Sequence, residues 1–278
     1  MNKLLKILKR AFQSHYDARG EYPLTKRAYL IGLSIIFASA YSQYMVKGFG
    51  PVLALLFVYG IPVCVASFLL GSVIVPRAFS HTYTALKFGF GLFGIFSLLG
   101  ILAASAMFSI IVMMDPQAAN LLNKPNPVLH IPPEFAWIMI WLSLVLVGPA
   151  EEYIFRGFIF GGLLCIFKDR HWLSLAFFSS ALFAVAHLYY GLVYGIASLA
   201  LFAELLAIGM AFAITYYLSG SNLFIPTILH GLYDASGFIS VAVSQEVGVL
   251  LRMSMKGVGI VVALGLFARE LLSRPSLP

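Results

Sequence analysis

Charge is what this chain has least of. Asp, Glu, Lys and Arg make up 10% of its 278 residues, where soluble domains carry about 25%, and that shortage excludes a soluble globular protein. Cysteine is scarce too. Cys64 and Cys165 both lie in apolar runs, so neither a disulfide framework nor a zinc-finger spacing is available and both read as core packing. The chain has no internal repeat, no low-complexity segment and no His-Glu-x-x-His run. What it has instead is 61% hydrophobic residues and a mean hydropathy of +0.94, the mark of an all-α, polytopic membrane protein. Its formal charge of +7 does not point to nucleic acid, because the basic residues sit between apolar runs, where they report orientation.

Residues 1–27 hold seven of the eighteen basic residues. Within them Leu4, Leu5, Leu8, Ala11 and Phe12 fall on one arc and Lys3, Lys6, Lys9 and Arg10 on the other, which predicts a basic amphipathic arm lying in the headgroups of an anionic leaflet. No cleavable signal precedes the first span, which is an anchor. About eight transmembrane helices are expected, near 28–46, 51–75, 88–114, 135–167, 172–190, 195–218, 223–243 and 247–268. The fourth is much longer than the rest and is expected to break at Gly148-Pro149.

With the N-terminus inside, the inner segments collect thirteen Lys and Arg: seven from residues 1–27, then Arg77, Lys87, Lys168, Arg170, Arg269 and Arg274. The outer loops hold only Lys47 and Lys124. That bias places both termini in the cytoplasm, and a bacterial or archaeal cell membrane is the expected location. The proline-rich loop from Asp115 to Pro133 is the best internal boundary. It divides the chain into the arm (1–27), an N-terminal bundle with its outer loop (28–132), a catalytic half (133–243) and a last helix with a cytoplasmic tail (244–278).

The stretch that organises the chain is Gly148-Pro149-Ala150-Glu151-Glu152-Tyr153-Ile154-Phe155-Arg156-Gly157. An ionised side chain inside a membrane span costs at least about 2.5–3.5 kcal/mol, so three in six residues need a reason. On a helix Glu152 and Arg156 share a face and read as a structural ion pair, whereas Glu151 is turned about 100° away. Glu151 is thereby left unpaired in a low-dielectric site, a candidate general base.

Other polar residues interrupt the later spans. His187 stands near the end of the fifth, and its plainer reading is a core residue bonded to a neighbouring backbone carbonyl. His230 and Asp234 are four apart on one helix face, where the carboxylate can orient the imidazole. Together, one unpaired Glu and two His on three apolar segments are hard to explain as accidents. Glu204 reads as an ion-pair partner of Arg252 or Lys256, with a substrate-gate or proton-path role as the alternative.

Glu151-Glu152-x-x-x-Arg156, Phe183-x-x-x-His187 and His230-x-x-x-Asp234, in this order on successive apolar segments, resemble the three motifs of the CPBP (Abi) family, which includes CAAX prenyl proteases of the Ras-converting type and bacteriocin-processing enzymes. The resemblance covers about residues 133–243. It implies an all-helical intramembrane endopeptidase with a buried active site, acting on a membrane-associated peptide or protein, lipidated in some members. By matching position, Glu151 and His187 would activate the attacking water, His230 and Asp234 would stabilise the oxyanion, and Glu152, Arg156 and Phe183 would support them. The prenyl-protein proteases usually carry Asn where this chain has Asp234. An ionised Asp cannot donate to an oxyanion, so Asp234 must either carry a proton or act by orienting His230.

The resemblance implies no bound cofactor; were a metal held, Glu151, His187 and His230 would make a three-ligand Zn²⁺ site. Membrane lipid and the substrate peptide are the expected partners, and nucleic acid is not. Two readings from other classes compete: a non-catalytic immunity or resistance factor binding a bacteriocin-like peptide, and a proton-coupled transporter. An inverted-repeat transporter should show paired broken helices, and only one is expected here.

Overall fold

The computed structural model describes residues 24–45, 51–123, 126, 129, 131–167, 169–187 and 189–272. The basic arm up to residue 23, the tail beyond residue 272, and Lys47, Lys124 and Lys168 lie outside the described residues. Every regular element among the described residues is helical. Helix α1 spans Lys26–Met45. Helix α2 covers residues 51–77 as Pro51–Leu55, a π turn at Leu56–Gly60, and Ile61–Arg77. Helix α3 is Thr82–Met114, followed by a 3₁₀ segment at Pro116–Asn123. Helices α4 (Pro133–Ile166), α5 (Trp172–Ala186), α6 (Tyr189–Leu218), α7 (Phe224–Ala242) and α8 (Gln245–Leu272) complete the fold.

The eight expected spans correspond to these eight helices, of which five (α2, α3, α4, α6 and α8) are long and apolar enough to cross a membrane. Length and hydropathy among the described residues therefore support five crossings and leave the expected count of eight unconfirmed. Helix α5 has 15 residues, or about 22 Å of rise, against a bilayer core of about 30 Å. Helix α7 gives up apolar positions to His230, Asp234, Ser236 and Ser240. The chain is an all-α integral membrane protein. Phe68, Leu192, Met113, Val261 and Phe267 point outward, more than half exposed, as suits a surface solvated by lipid.

Inside, Tyr29, Leu70, Ile154, Phe158, Phe183 and Tyr217 belong to a core between α1, α2, α4, α5 and α6. A second core joins Phe93, Phe212, Ile225, Leu229 and Met255 from α3, α6, α7 and α8. With no hydrophobic drive between helices in lipid, close approach depends on small residues. A Cβ on Gly148 of α4 would stand 2.9 Å from the backbone N of Gly231 on α7, so only glycine admits this crossing. The crossing brings Glu151 and Glu152, one turn beyond Gly148, beside His230.

Helix α4 does not break at Gly148-Pro149 as expected. It runs on through two π-helical stretches, Ser143–Val147 and Tyr153–Phe160, with Gly148–Glu152 α-helical between them. Pro149 lies in the first turn after a π stretch, and a local change of register of this kind accommodates a residue without an N–H. The connection from α6 to α7 is buried: Ser219, Ser221, Asn222 and Leu223 are each at most 5% exposed. Asn222 Nδ2 donates to Ser80 O at 2.7 Å and the Leu223 N–H donates to Ala78 O at 2.9 Å. Its backbone is thus satisfied by protein, which allows α7 to start well inside the fold.

Candidate active site

Four helices converge on Glu151 and Glu152. Glu152 is fully buried, and its Oε1 accepts from Arg156 Nη1 at 3.0 Å and lies 2.7 Å from His230 Nδ1. Arg156, 1% exposed, also donates from Nη2 to Gly209 O at 3.1 Å. Its guanidinium sits over the rings of Phe183, at 4.6 Å, and Phe212, at 5.3 Å. The expected ion pair is present, with a second duty: Glu152, not Asp234, makes the close contact with the His230 imidazole. Asp234 Oδ2 lies 3.5 Å from the other ring nitrogen, Nε2. The ring is flanked by Phe212, stacked at 5.5 Å, and by Phe183, edge-on at 5.6 Å.

Glu151 points elsewhere, as its helical position requires, but it is not unpaired. Tyr59, from the π turn of α2, donates its hydroxyl to Glu151 Oε1 at 3.1 Å. The other oxygen, Oε2, is buried without a hydrogen-bond partner among the described residues and lies 3.6 Å from His230 Nε2. His187 ends α5, and its Nδ1 lies 2.9 Å from Phe183 O, one helical turn back. A carbonyl only accepts, so Nδ1 donates, and in the neutral ring Nε2 carries the lone pair. The plainer reading of His187 thus holds for one nitrogen and leaves the other free for chemistry.

Two cavities meet at these residues. One, of about 360 Å³, is lined by Glu151, His187, His230 and Asp234 together with Glu204 and Arg252. The other, of about 700 Å³, is walled by apolar side chains of α1, α2 and α4 such as Phe37, Leu55 and Ile138. Glu151, His187, Tyr59, Tyr189 and Met139 line both. Among the described residues no three His, Cys, Asp or Glu side chains gather as a metal-ligand set, so the set of Glu151, His187 and His230 does not fit a metal here and no step is routed through one.

Residues 133–236 match the family model described as type II CAAX prenyl endopeptidase Rce1-like. This stretch is an Rce1-like domain. It is similar to a family of endopeptidases and runs from the start of α4 into α7, so it contains Glu151, Glu152, Arg156, Phe183, His187, His230 and Asp234. No curated protein and no solved structure matches the chain.

Tyr59, Glu151's hydroxyl partner, lies outside the Rce1-like domain and was missed by the sequence reading. Its only sequence signal is one tyrosine in an apolar run, which does not separate it from interfacial tyrosines. Glu204 pairs with Lys256, Oε1 to Nζ at 2.8 Å, and accepts from Tyr233 OH at 3.0 Å. Of its two expected partners, Arg252 is therefore not the one used.

Proposed function

We propose that this protein is an intramembrane endopeptidase that hydrolyses a peptide bond of a membrane-associated protein or peptide with water activated by Glu151 and His187. The observation that carries the reading is the junction of the two cavities, where Glu151 and His187 share the wall and Glu151 Oε2 lies 3.6 Å from His230 Nε2. In the proposed reaction a Glu151 carboxylate oxygen takes a proton from water while His187 Nε2 accepts a hydrogen bond from the other O–H and orients the water. The oxygen adds to the scissile carbonyl carbon, and the resulting oxyanion lies beside His230. Glu151 then returns the proton to the amide nitrogen as the C–N bond breaks, which leaves a free amine and a carboxylic acid whose proton passes to solvent.

His230 suits an oxyanion role because carboxylates face both its nitrogens, Glu152 at Nδ1 and Glu151 and Asp234 at Nε2. Carboxylates accept, so only the imidazolium, donor at both positions, meets that surround fully. Asp234 acts in this scheme by orienting His230 rather than by donating. No cofactor takes part, and chelators are expected to leave turnover intact. The apolar cavity, open to the same Glu151, suits a lipidated or strongly apolar segment of substrate. The immunity-factor and transporter readings give no account of Glu151 and His187 sharing the wall of both cavities.

The test is peptide mass spectrometry of membranes from cells with and without the intact protein. A membrane-protein fragment whose appearance requires Glu151 is expected; the same fragments with wild type and Glu151→Gln would sink the endopeptidase reading. Orientation follows the Lys and Arg bias, with both termini cytoplasmic. Once Cys64 and Cys165 are replaced, a cysteine at Gln117 is expected to label from outside and one at Asp169 from inside. Labelling of both from one side would overturn the single crossing of α4.

A further inference from the structure

The polar cavity contains a cation with no carboxylate within 4 Å among the described residues, although the Asp234 carboxylate on the same wall lies near enough to feel its charge. Arg252 of α8 lines it, half-buried, together with Glu151, His187, His230 and Asp234. Its Nε donates to Ser236 Oγ at 3.0 Å, and its guanidinium carbon sits 4.9 Å from the Tyr233 ring centroid. Ser236 is fully buried and its own hydroxyl donates to Tyr233 O, so the tether is rigid. Nη1 and Nη2 have no hydrogen-bond partner, and no carboxylate lies within 4 Å of them, among the described residues. The other cation on this side, Lys256, is neutralised by Glu204. Gly237, on the same cavity wall, leaves Nη2 uncrowded: a Cβ there would stand 3.2 Å from it.

Cations inside membrane proteins pair with one another's counterions or serve a ligand. A guanidinium held at Nε offers its two terminal NH₂ groups as a planar fork, the geometry that suits a carboxylate. We propose that Arg252 is a carboxylate-binding subsite of the cleft, anchoring a carboxylate of the peptide substrate. The inference rests on the endopeptidase reading and deepens it. Ser236, which holds Arg252, lies six residues beyond His230 on α7, or about 9 Å along the helix. An extended peptide advances about 3.3–3.6 Å per residue, so a substrate lying along the cavity reaches Arg252 within a few residues of the bond cut. A carboxylate at that distance has two sources, an acidic side chain or the end of the peptide chain.

The probes that separate them are apolar, N-acetylated dodecapeptides in three matched forms: a free C-terminal carboxylate without acidic side chains, a C-terminal amide without acidic side chains, and a C-terminal amide with one Glu at each position in turn. They are given to the purified full chain in lipid nanodiscs, and products are read by mass spectrometry. Wild type is expected to cleave one carboxylate-bearing form about 10- to 100-fold better than the neutral amide, chiefly through KM. The form preferred names the source. Arg252→Ala should collapse that ratio towards one and Arg252→Lys should keep part of it. Should Arg252→Ala fail to fold, Ser236→Ala, which frees Nε, is expected to lower the same ratio. A purely structural Arg252 would instead lower turnover of all three forms alike. That outcome, an absent preference in wild type, or a preference that survives Arg252→Ala overturns the subsite.

If wild type cleaves no form, the endopeptidase reading fails by itself. The subsite is then decided by anisotropy of fluorescein-labelled carboxylate and amide peptides on the Glu151→Gln protein with and without Arg252→Ala. Tighter binding of the carboxylate form that is lost with Arg252 upholds it, and equal binding refutes it.

Discussion

Glu151→Gln is expected to abolish peptide hydrolysis by the purified protein while leaving it folded and inserted. Gln keeps the size and the acceptor that Tyr59 reaches at 3.1 Å but cannot take a proton from water. The loss should reach at least about 10²–10⁴-fold in kcat, the span attributed to a positioned general base. Glu151→Ala should be equally inactive and should also free the Tyr59 hydroxyl. The side chain lines two cavities and is 14% exposed, so neither change leaves a buried countercharge stranded as a change at Glu152 would. Steady-state kinetics beside a thermal unfolding curve make the check. Turnover near the wild-type rate, or a protein that no longer folds, would each remove Glu151 from the role of base.

Arg156→Ala and Glu152→Ala are expected to act on stability first. Both side chains are at most 1% exposed, and each is the other's charge partner at 3.0 Å. Removing one partner of a buried pair leaves the other uncompensated, at a cost of about 3–5 kcal/mol. Glu152→Ala should be the more damaging, because Glu152 Oε1 serves His230 Nδ1 as well as Arg156. Arg156→Ala also removes the guanidinium packed between Phe183 and Phe212. The unfolding midpoint in a fixed detergent and the yield of monodisperse protein report this directly. A midpoint unchanged in either variant would show that the pair is not the strut it is taken to be.

Much of the site was legible because helices make short-range geometry predictable. The four-residue spacing of Glu152 and Arg156 yields a contact at 3.0 Å, and Glu151 faces away from that pair. The apolar surroundings made every charge conspicuous. Other features rested on contacts between residues far apart in the chain. Tyr59 meets Glu151 across 92 positions and His230 meets Glu152 across 78, and no periodicity encodes either. The expected break at Gly148-Pro149 rested on proline's missing N–H alone. Helix α4 absorbs it in π-helical turns while α7 packs against Gly148.

By itself, then, the sequence determined the class of molecule and the cast of residues. Scarce charge and long apolar runs require helices that satisfy their own backbone in lipid, and helical spacing alone assigns Glu152 to Arg156. Tertiary structure decided who meets whom. Only the Gly148–Gly231 crossing brings His230 to the two glutamates, only the π turn of α2 delivers Tyr59 to Glu151, and only the packing of α6, α7 and α8 gives Glu204 to Lys256 and leaves Arg252 facing the cleft. The physical reason is that a helix fixes the direction of a side chain, whereas its partner depends on how closely and at what height a second helix approaches. In a membrane that approach is set by which small residues coincide, and their coincidence appears only once the helices are assembled.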